Sequence, residues 1–163
     1  MSVTDDLLEN NRAYAATFDK GDLPIPPAKN LAIVACMDAR LDIFGLLGLQ
    51  LGDAHVIRNA GGVVTADELR SLAISQRLLG TTEIVLIHHT GCGMQTFTDD
   101  EFRSAIEQET GVKPLWAAEA FPDLDASVRQ NIARIRAEPA IPHKDSVRGF
   151  VYDVTTGALR EVG

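Results

Sequence analysis

Two short apolar runs, Leu31-Ala32-Ile33-Val34-Ala35 and Ile84-Val85-Leu86-Ile87, each lead without a break into side chains that carry chemistry. The first runs into Cys36-Met37-Asp38-Ala39-Arg40 and the second into His88-His89-Thr90-Gly91-Cys92-Gly93. A continuous apolar stretch of this length is what a strand covered on both faces of a parallel sheet requires. In open α/β sheets, ligand sites lie beyond the carboxyl ends of the strands. The pattern therefore predicts a parallel sheet with its reactive side chains gathered along one edge.

The intervening segments agree with that architecture. Leu41 to Leu47 reads as a short helix stopped by Gly48, and His55-Val56-Ile57-Arg58 as a further strand running into Gly61-Gly62. Thr65-Ala66-Asp67-Glu68 has the form of a capping box and opens a helix that Gly80 should end. Thr98-Asp99-Asp100-Glu101 opens another, ending at Gly111, and a third runs from Asp123 to about Arg136 before Pro139. Gly149 to Val154, the turn Thr155-Thr156-Gly157 and Ala158 to Val162 read as a strand, a turn and a short returning strand. At the other terminus, Leu7, Tyr14 and Phe18 recur at roughly helical spacing from about Thr4, and Pro24, Pro26 and Pro27 then favour an extended linker. The expected fold is α/β, a central, mostly parallel β-sheet flanked by helices, with an N-terminal helical arm and a C-terminal edge hairpin. Residues 1–163 form one expected domain, with 1–22 as the arm and 23–30 as the Pro-rich linker.

At 163 residues and 45% apolar content the chain can bury a core without disulfide staples. Its formal charge of -8 argues against nucleic acid or an anionic membrane as the main partner. No long apolar run or signal-like N-terminus is present, so a cytoplasmic location is expected, in which Cys36 and Cys92 would stay reduced.

His89 and Cys92 form an H-x-x-C pair, and Cys36 would add a third ligand from a neighbouring strand. Zinc accepts thiolate and imidazole in tetrahedral geometry, and three protein ligands leave one position open, as in catalytic sites. Against this stands the plain reading of a strand cysteine as a small buried hydrophobe beside a chance H-x-x-C. His88 competes with His89 for the ligand role, but His89, three positions before Cys92 within the turn, can converge with it, whereas His88 is expected to face the other way; His55 and His143 have no cysteine nearby. Asp38 could accept a hydrogen bond from a zinc-held water, or reach the metal itself, with Arg40 orienting it. The bland alternative is a surface ion pair of little weight.

At these residues the chain resembles the β-class carbonic anhydrases, in particular the compact, Cab-like branch. Cys36-Met37-Asp38-Ala39-Arg40 stands for the family's C-x-D-S-R, Arg58-Asn59-Ala60-Gly61-Gly62 for its R-N-A-G segment, and His89-Thr90-Gly91-Cys92-Gly93 for H-T-x-C-G. Ala39 departs from the family's serine, and Met94 stands where many members have glycine. The resemblance implies reversible hydration of carbon dioxide to bicarbonate and a proton by a zinc-bound hydroxide. It implies Zn2+ held by Cys36, His89 and Cys92, with Asp38 as an exchangeable fourth ligand in a closed state and Arg40 as its partner. Arg58 and Gly61 are its candidate substrate contacts, and His55 is a guess for the proton shuttle. It also implies a homodimer or homotetramer whose N-terminal helix crosses onto a partner. Two rival readings remain: a carbon disulfide hydrolase on the same scaffold, and a non-enzymatic zinc and thiol redox-sensing module.

Overall fold

The structure is a computed structural model that describes residues 2–163. Five strands, β1 (Leu31–Cys36), β2 (Ala54–Asn59), β3 (Glu83–His89), β4 (Ser146–Tyr152) and β5 (Leu159–Val162), form one sheet in the order β2-β1-β3-β4-β5. The first four are mutually parallel, and β5 returns antiparallel along β4. The strands that end in Cys36 and His89 are therefore neighbours at the centre of the sheet, in the register Ala35 opposite Ile87.

The pleat distributes the apolar runs between two cores. Ala32 and Val34 of β1 join Leu86, Leu72 and Val128 on one face, while Ile33 and Ala35 join Ile43, Ile87 and Phe121 on the other. Burial on both faces accounts for runs with no polar alternation. The helices are α1 (Val3–Ala16), α2 (Ile43–Leu47), α3 (Ala66–Leu79), α4 (Asp99–Thr110) and α5 (Leu124–Ala137). The capping boxes at Thr65 and Thr98 are present, with Glu68 accepting from the Thr65 amide at 2.9 Å and Glu101 from the Thr98 amide at 3.0 Å.

Several boundaries differ from expectation for physical reasons. Helix α1 begins one residue early because Ser2 and Asp5 make a further capping box. It stops at Ala16, so Phe18 lies beyond it, with its ring centroid 5.5 Å from that of Tyr14. Strand β3 continues through both histidines, because β4 pairs His88 with Val151 and His89 with Tyr152. Strand β4 itself ends at Tyr152, where Asp153 opens a turn by accepting from the Thr155 amide at 2.8 Å. Short 3-10 turns at Ala60–Gly62 and Gly93–Gln95 shape the loops that follow β2 and β3. No helix among the described residues is long and apolar enough to cross a membrane.

Helix α1 buries none of its residues, and Val3, Leu7, Leu8 and Tyr14 all lie on the surface. An amphipathic helix that leaves its apolar side chains in water has not found its partner within the chain.

Candidate metal centre

Strand β1 delivers Cys36, β3 delivers His89, and the loop after β3 turns Cys92 back towards both. The three ligand atoms lie within 4.8 Å of one another, and the two sulfurs are 4.0 Å apart. A tetrahedral ion with Zn–S bonds of about 2.3 Å would separate two thiolates by roughly 3.8 Å, so the pair already has the spacing that zinc needs. The side chains are deeply buried: Cys36 is 4% exposed, His89 0% and Cys92 3%.

His89 supplies the strongest sign of a ligand. Its Nδ1 lies 2.9 Å from the Thr90 carbonyl, an arrangement that puts the proton on Nδ1 and leaves the Nε2 lone pair for the cluster. Nε2 is buried without a hydrogen-bond partner, a costly condition that coordination would relieve. His88, one residue earlier, faces away. Its Nε2 is 3.0 Å from Ser127 Oγ on α5 and its ring lies against Phe121, with centroids 5.1 Å apart. Burial pulls its pKa down to about 4, which keeps the imidazole neutral. Because β3 continues through both residues, the alternation of its side chains separates the two histidines.

The thiols divide their protons unequally. The hydrogen bond from Cys92 pulls the Cys36 pKa down against the opposing effect of burial, helped by His89 and the backbone at Asp38 and Gly61. The same hydrogen bond and burial push Cys92 up. One thiolate therefore forms readily, and the second requires a cation beside it, as a metal site does. For His89, burial acts downwards, but the Cys36 thiolate, the Thr90 carbonyl and the Asp38 charge together raise its pKa.

Asp38 stands at the mouth of this cluster, with Oδ2 3.6 Å from His89 Nε2. Arg40 holds its carboxylate through Nε at 2.9 Å, Nη2 at 2.7 Å and the backbone amide at 2.9 Å. The same guanidinium donates to the Gly91 carbonyl at 3.1 Å and so ties the aspartate to the loop that carries Cys92. The Arg40 hydrogen bonds hold the Asp38 carboxyl far below the usual carboxylate range. This bidentate pair bridges the two ligand loops, which sets it apart from an incidental surface contact.

A cleft of about 320 Å³ opens over the cluster, lined by Cys36, Asp38 and Gly61 with the apolar Met37, Met94 and Phe97. Gly61 is one of the residues on the cleft wall. Arg58 is not among the lining residues: its Nε donates to the Cys36 carbonyl at 3.0 Å and its Nη2 to the Asp38 carbonyl at 2.7 Å. His55 is far from the chemistry. It pairs in register with Ala32 and shares a 2.8 Å hydrogen bond with Ser75, about 13 Å along β1 from Cys36 at 3.3 Å per residue. Its place in the sheet gives no support to a shuttle role. Two supports had no assigned role in the sequence: Thr90, whose carbonyl sets the His89 tautomer, and Asn59. The Asn59 side chain donates to the Val63 carbonyl at 2.7 Å and accepts from its amide at 3.1 Å, which braces the glycine turn beside the cleft.

A family model described as "Carbonic anhydrase" matches residues 31–120. The chain is 61% identical to Beta-carbonic anhydrase 1 of Mycobacterium tuberculosis (strain ATCC 25618 / H37Rv), over 99% of each sequence. It is 34% identical to the carbon disulfide hydrolase of Saccharolobus solfataricus, over 96% of this chain and 87% of that one. Its fold matches the crystal structure of a carbonic anhydrase from Streptococcus mutans with a TM-score of 0.94 and 46% identity, covering 100% and 99% of the two chains. With a full-length relative at this identity and a donor set of two cysteines and one histidine converging at the sheet edge, the chain belongs to the β-class carbonic anhydrase family.

Proposed function

We propose that this enzyme converts carbon dioxide and water reversibly into bicarbonate and a proton, with zinc held by Cys36, His89 and Cys92. The observation that carries this reading is the buried Cys-His-Cys triad with Asp38 fixed at its mouth by Arg40. Zinc, when bound, supplies the Lewis acidity that brings the ionisation of water into the near-neutral range. Cys36 and Cys92 temper that acidity, because thiolates donate more charge than imidazoles, so hydration is expected to rise towards alkaline pH.

The remaining steps belong to the protein's own side chains. Asp38 stays ionised wherever the enzyme works, because its depressed pKa means the carboxylate is lost only as pH falls well below the usual carboxylate range. It presents a fixed acceptor to the water that attacks, and Arg40 keeps that acceptor from swinging into solvent. Met37, Met94 and Phe97 offer an apolar wall to a small uncharged substrate, while Gly61 keeps the wall free of a side chain. We place Asp38 and Arg40 in the catalytic role and Gly61 in the substrate-facing one.

Stopped-flow hydration of carbon dioxide, with zinc content measured in parallel, tests this directly. Asp38→Ala is expected to keep one zinc per chain and lose activity by about a hundredfold, the scale of removing one positioned acid-base partner. Full zinc occupancy with no hydration by the unmodified enzyme at any pH would reject the reading. It would favour carbon disulfide hydrolysis or thiol-based sensing instead. The much higher identity to a β-carbonic anhydrase than to the carbon disulfide hydrolase favours carbon dioxide.

We further take residues 1–163 as one catalytic domain working in the cytoplasm as a homodimer or homotetramer. The unpacked apolar side chains of α1, carried on the linker 23–30, support a second copy as their partner. Replacing Leu7 and Tyr14 together by aspartate is expected to shift the sedimenting species to monomer. An unchanged dimer or tetramer would place the interface elsewhere.

A further inference from the structure

Beyond Cys36 the chain leaves the ladder. The last strand-like contact is the Met37 amide donating to the Asn59 carbonyl at 2.7 Å, after which residues 37–40 turn away with Met37 on the surface. This turn must hold two things at once: the Cys36 backbone behind one metal ligand, and the Asp38 backbone behind the carboxylate that Arg40 grips. Cys36 is still paired with Asn59 in the β1–β2 ladder, and the Leu41 amide donates to the Asp38 carbonyl at 3.1 Å, but one side chain, Arg58, donates to the carbonyls of both residues.

Arg58 is well shaped for that task. Its Nε and Nη2 donate to the carbonyls of residues 36 and 38, so one planar guanidinium spans both ends of the turn. It makes no ion pair with a carboxylate among the described residues. Its position at the end of β2, opposite Ala35 in register, puts it behind the ligand loop, and it is not on the cleft wall. A lysine at this place would offer a single point of contact and could not bridge the two carbonyls with the same fixed fork.

We infer that Arg58 is a positioning residue: it fixes the backbone from Cys36 to Asp38, so that Cys36 stays with His89 and Cys92 while Asp38 stays in the grip of Arg40. The two arginines then act on different parts of one loop, Arg40 on the aspartate side chain and Arg58 on the main chain. The inference rests on the proposed zinc enzyme for its kinetic arm only, because metal retention can be followed without turnover.

The test compares Arg58→Ala and Arg58→Lys with the unmodified zinc-loaded protein. Zinc transfer to a chromophoric chelator gives the release rate, stopped-flow hydration gives kcat and KM, and thermal melting controls for folding. Arg58→Ala is expected to release zinc about tenfold faster and to lose about tenfold in kcat, with KM nearly unchanged, the scale on which outer supports of metal ligands act. Added guanidinium ion should slow zinc release from Arg58→Ala, whereas methylammonium should not, because only the planar fork spans both carbonyls. If the alanine variant melts early, Arg58→Lys carries the test: it keeps the charge and stem and should still release zinc faster. Unchanged release rates in both variants would overturn the inference. So would a large rise in KM for bicarbonate with release unchanged, because that pattern assigns Arg58 to contact with the anionic substrate.

Discussion

Cys92→Ser is expected to yield a folded protein that no longer retains zinc and has lost carbon dioxide hydration by more than about a thousandfold, roughly 4 kcal/mol of transition-state stabilisation. The sulfur at position 92 lies 4.0 Å from that of Cys36 and within 4.8 Å of the His89 nitrogen, so its loss leaves two donors where catalytic zinc takes three. A serine hydroxyl fits the space but does not ionise near neutral pH, and so cannot replace the thiolate. The fold itself should change little, because neither core depends on this sulfur for more than a small apolar contact. Elemental analysis and stopped-flow kinetics on the same preparation check the result. One zinc per chain in the serine variant would show that the metal is held by some other set of donors.

The second large effect is on stability. Gly62→Ala would put a Cβ 2.7 Å from the Cys36 amide nitrogen, 2.9 Å from the Ala35 carbonyl carbon and 3.0 Å from the Ile87 carbonyl oxygen, all of them main-chain atoms that cannot step aside. Its φ of +67° adds the cost of a left-handed conformation for a residue with a side chain. Together these should destabilise the protein by about 3–4 kcal/mol, combining a left-handed penalty of about 1 kcal/mol with strain of about 2–3 kcal/mol from overpacking. Gly48→Ala separates the two contributions, since φ there is +64° but nothing lies within 4 Å of the added Cβ. It should cost only about 1 kcal/mol. Equal midpoint shifts for both variants in urea would mean that the turn at Gly62 is not pressed against β1 and β3 as described.

The contrast between these glycines shows how much of the site was legible in the chain. Gly48 ends a helix, and a run of apolar residues followed by glycine announces that locally. Gly62 sits between two histidine- and cysteine-bearing strand ends, and its need for close approach exists only once β1 and β3 lie side by side. Similarly, Glu68 and Glu101 were recognisable as capping residues because each partner lies three positions away. The extension of β3 through His88 and His89 was not recognisable, because two polarisable rings after an apolar run read as a loop until β4 pairs with them.

The α/β class, the strands that end in chemistry, the candidate thiol and imidazole donors and the helix caps could be read from the chain alone. All of these follow from local spacing and from the chemistry of single side chains. Only the tertiary structure decided that residues 56 positions apart meet at 4.0 Å, because that depends on the order of strands in the sheet. It alone set the His89 tautomer through the Thr90 carbonyl, turned His88 to Ser127 and placed His55 at the far end of its strand. It also turned Arg58 towards two backbone carbonyls, and no spacing rule predicts that, since a carbonyl acceptor exists at every residue and only the path of the chain selects among them.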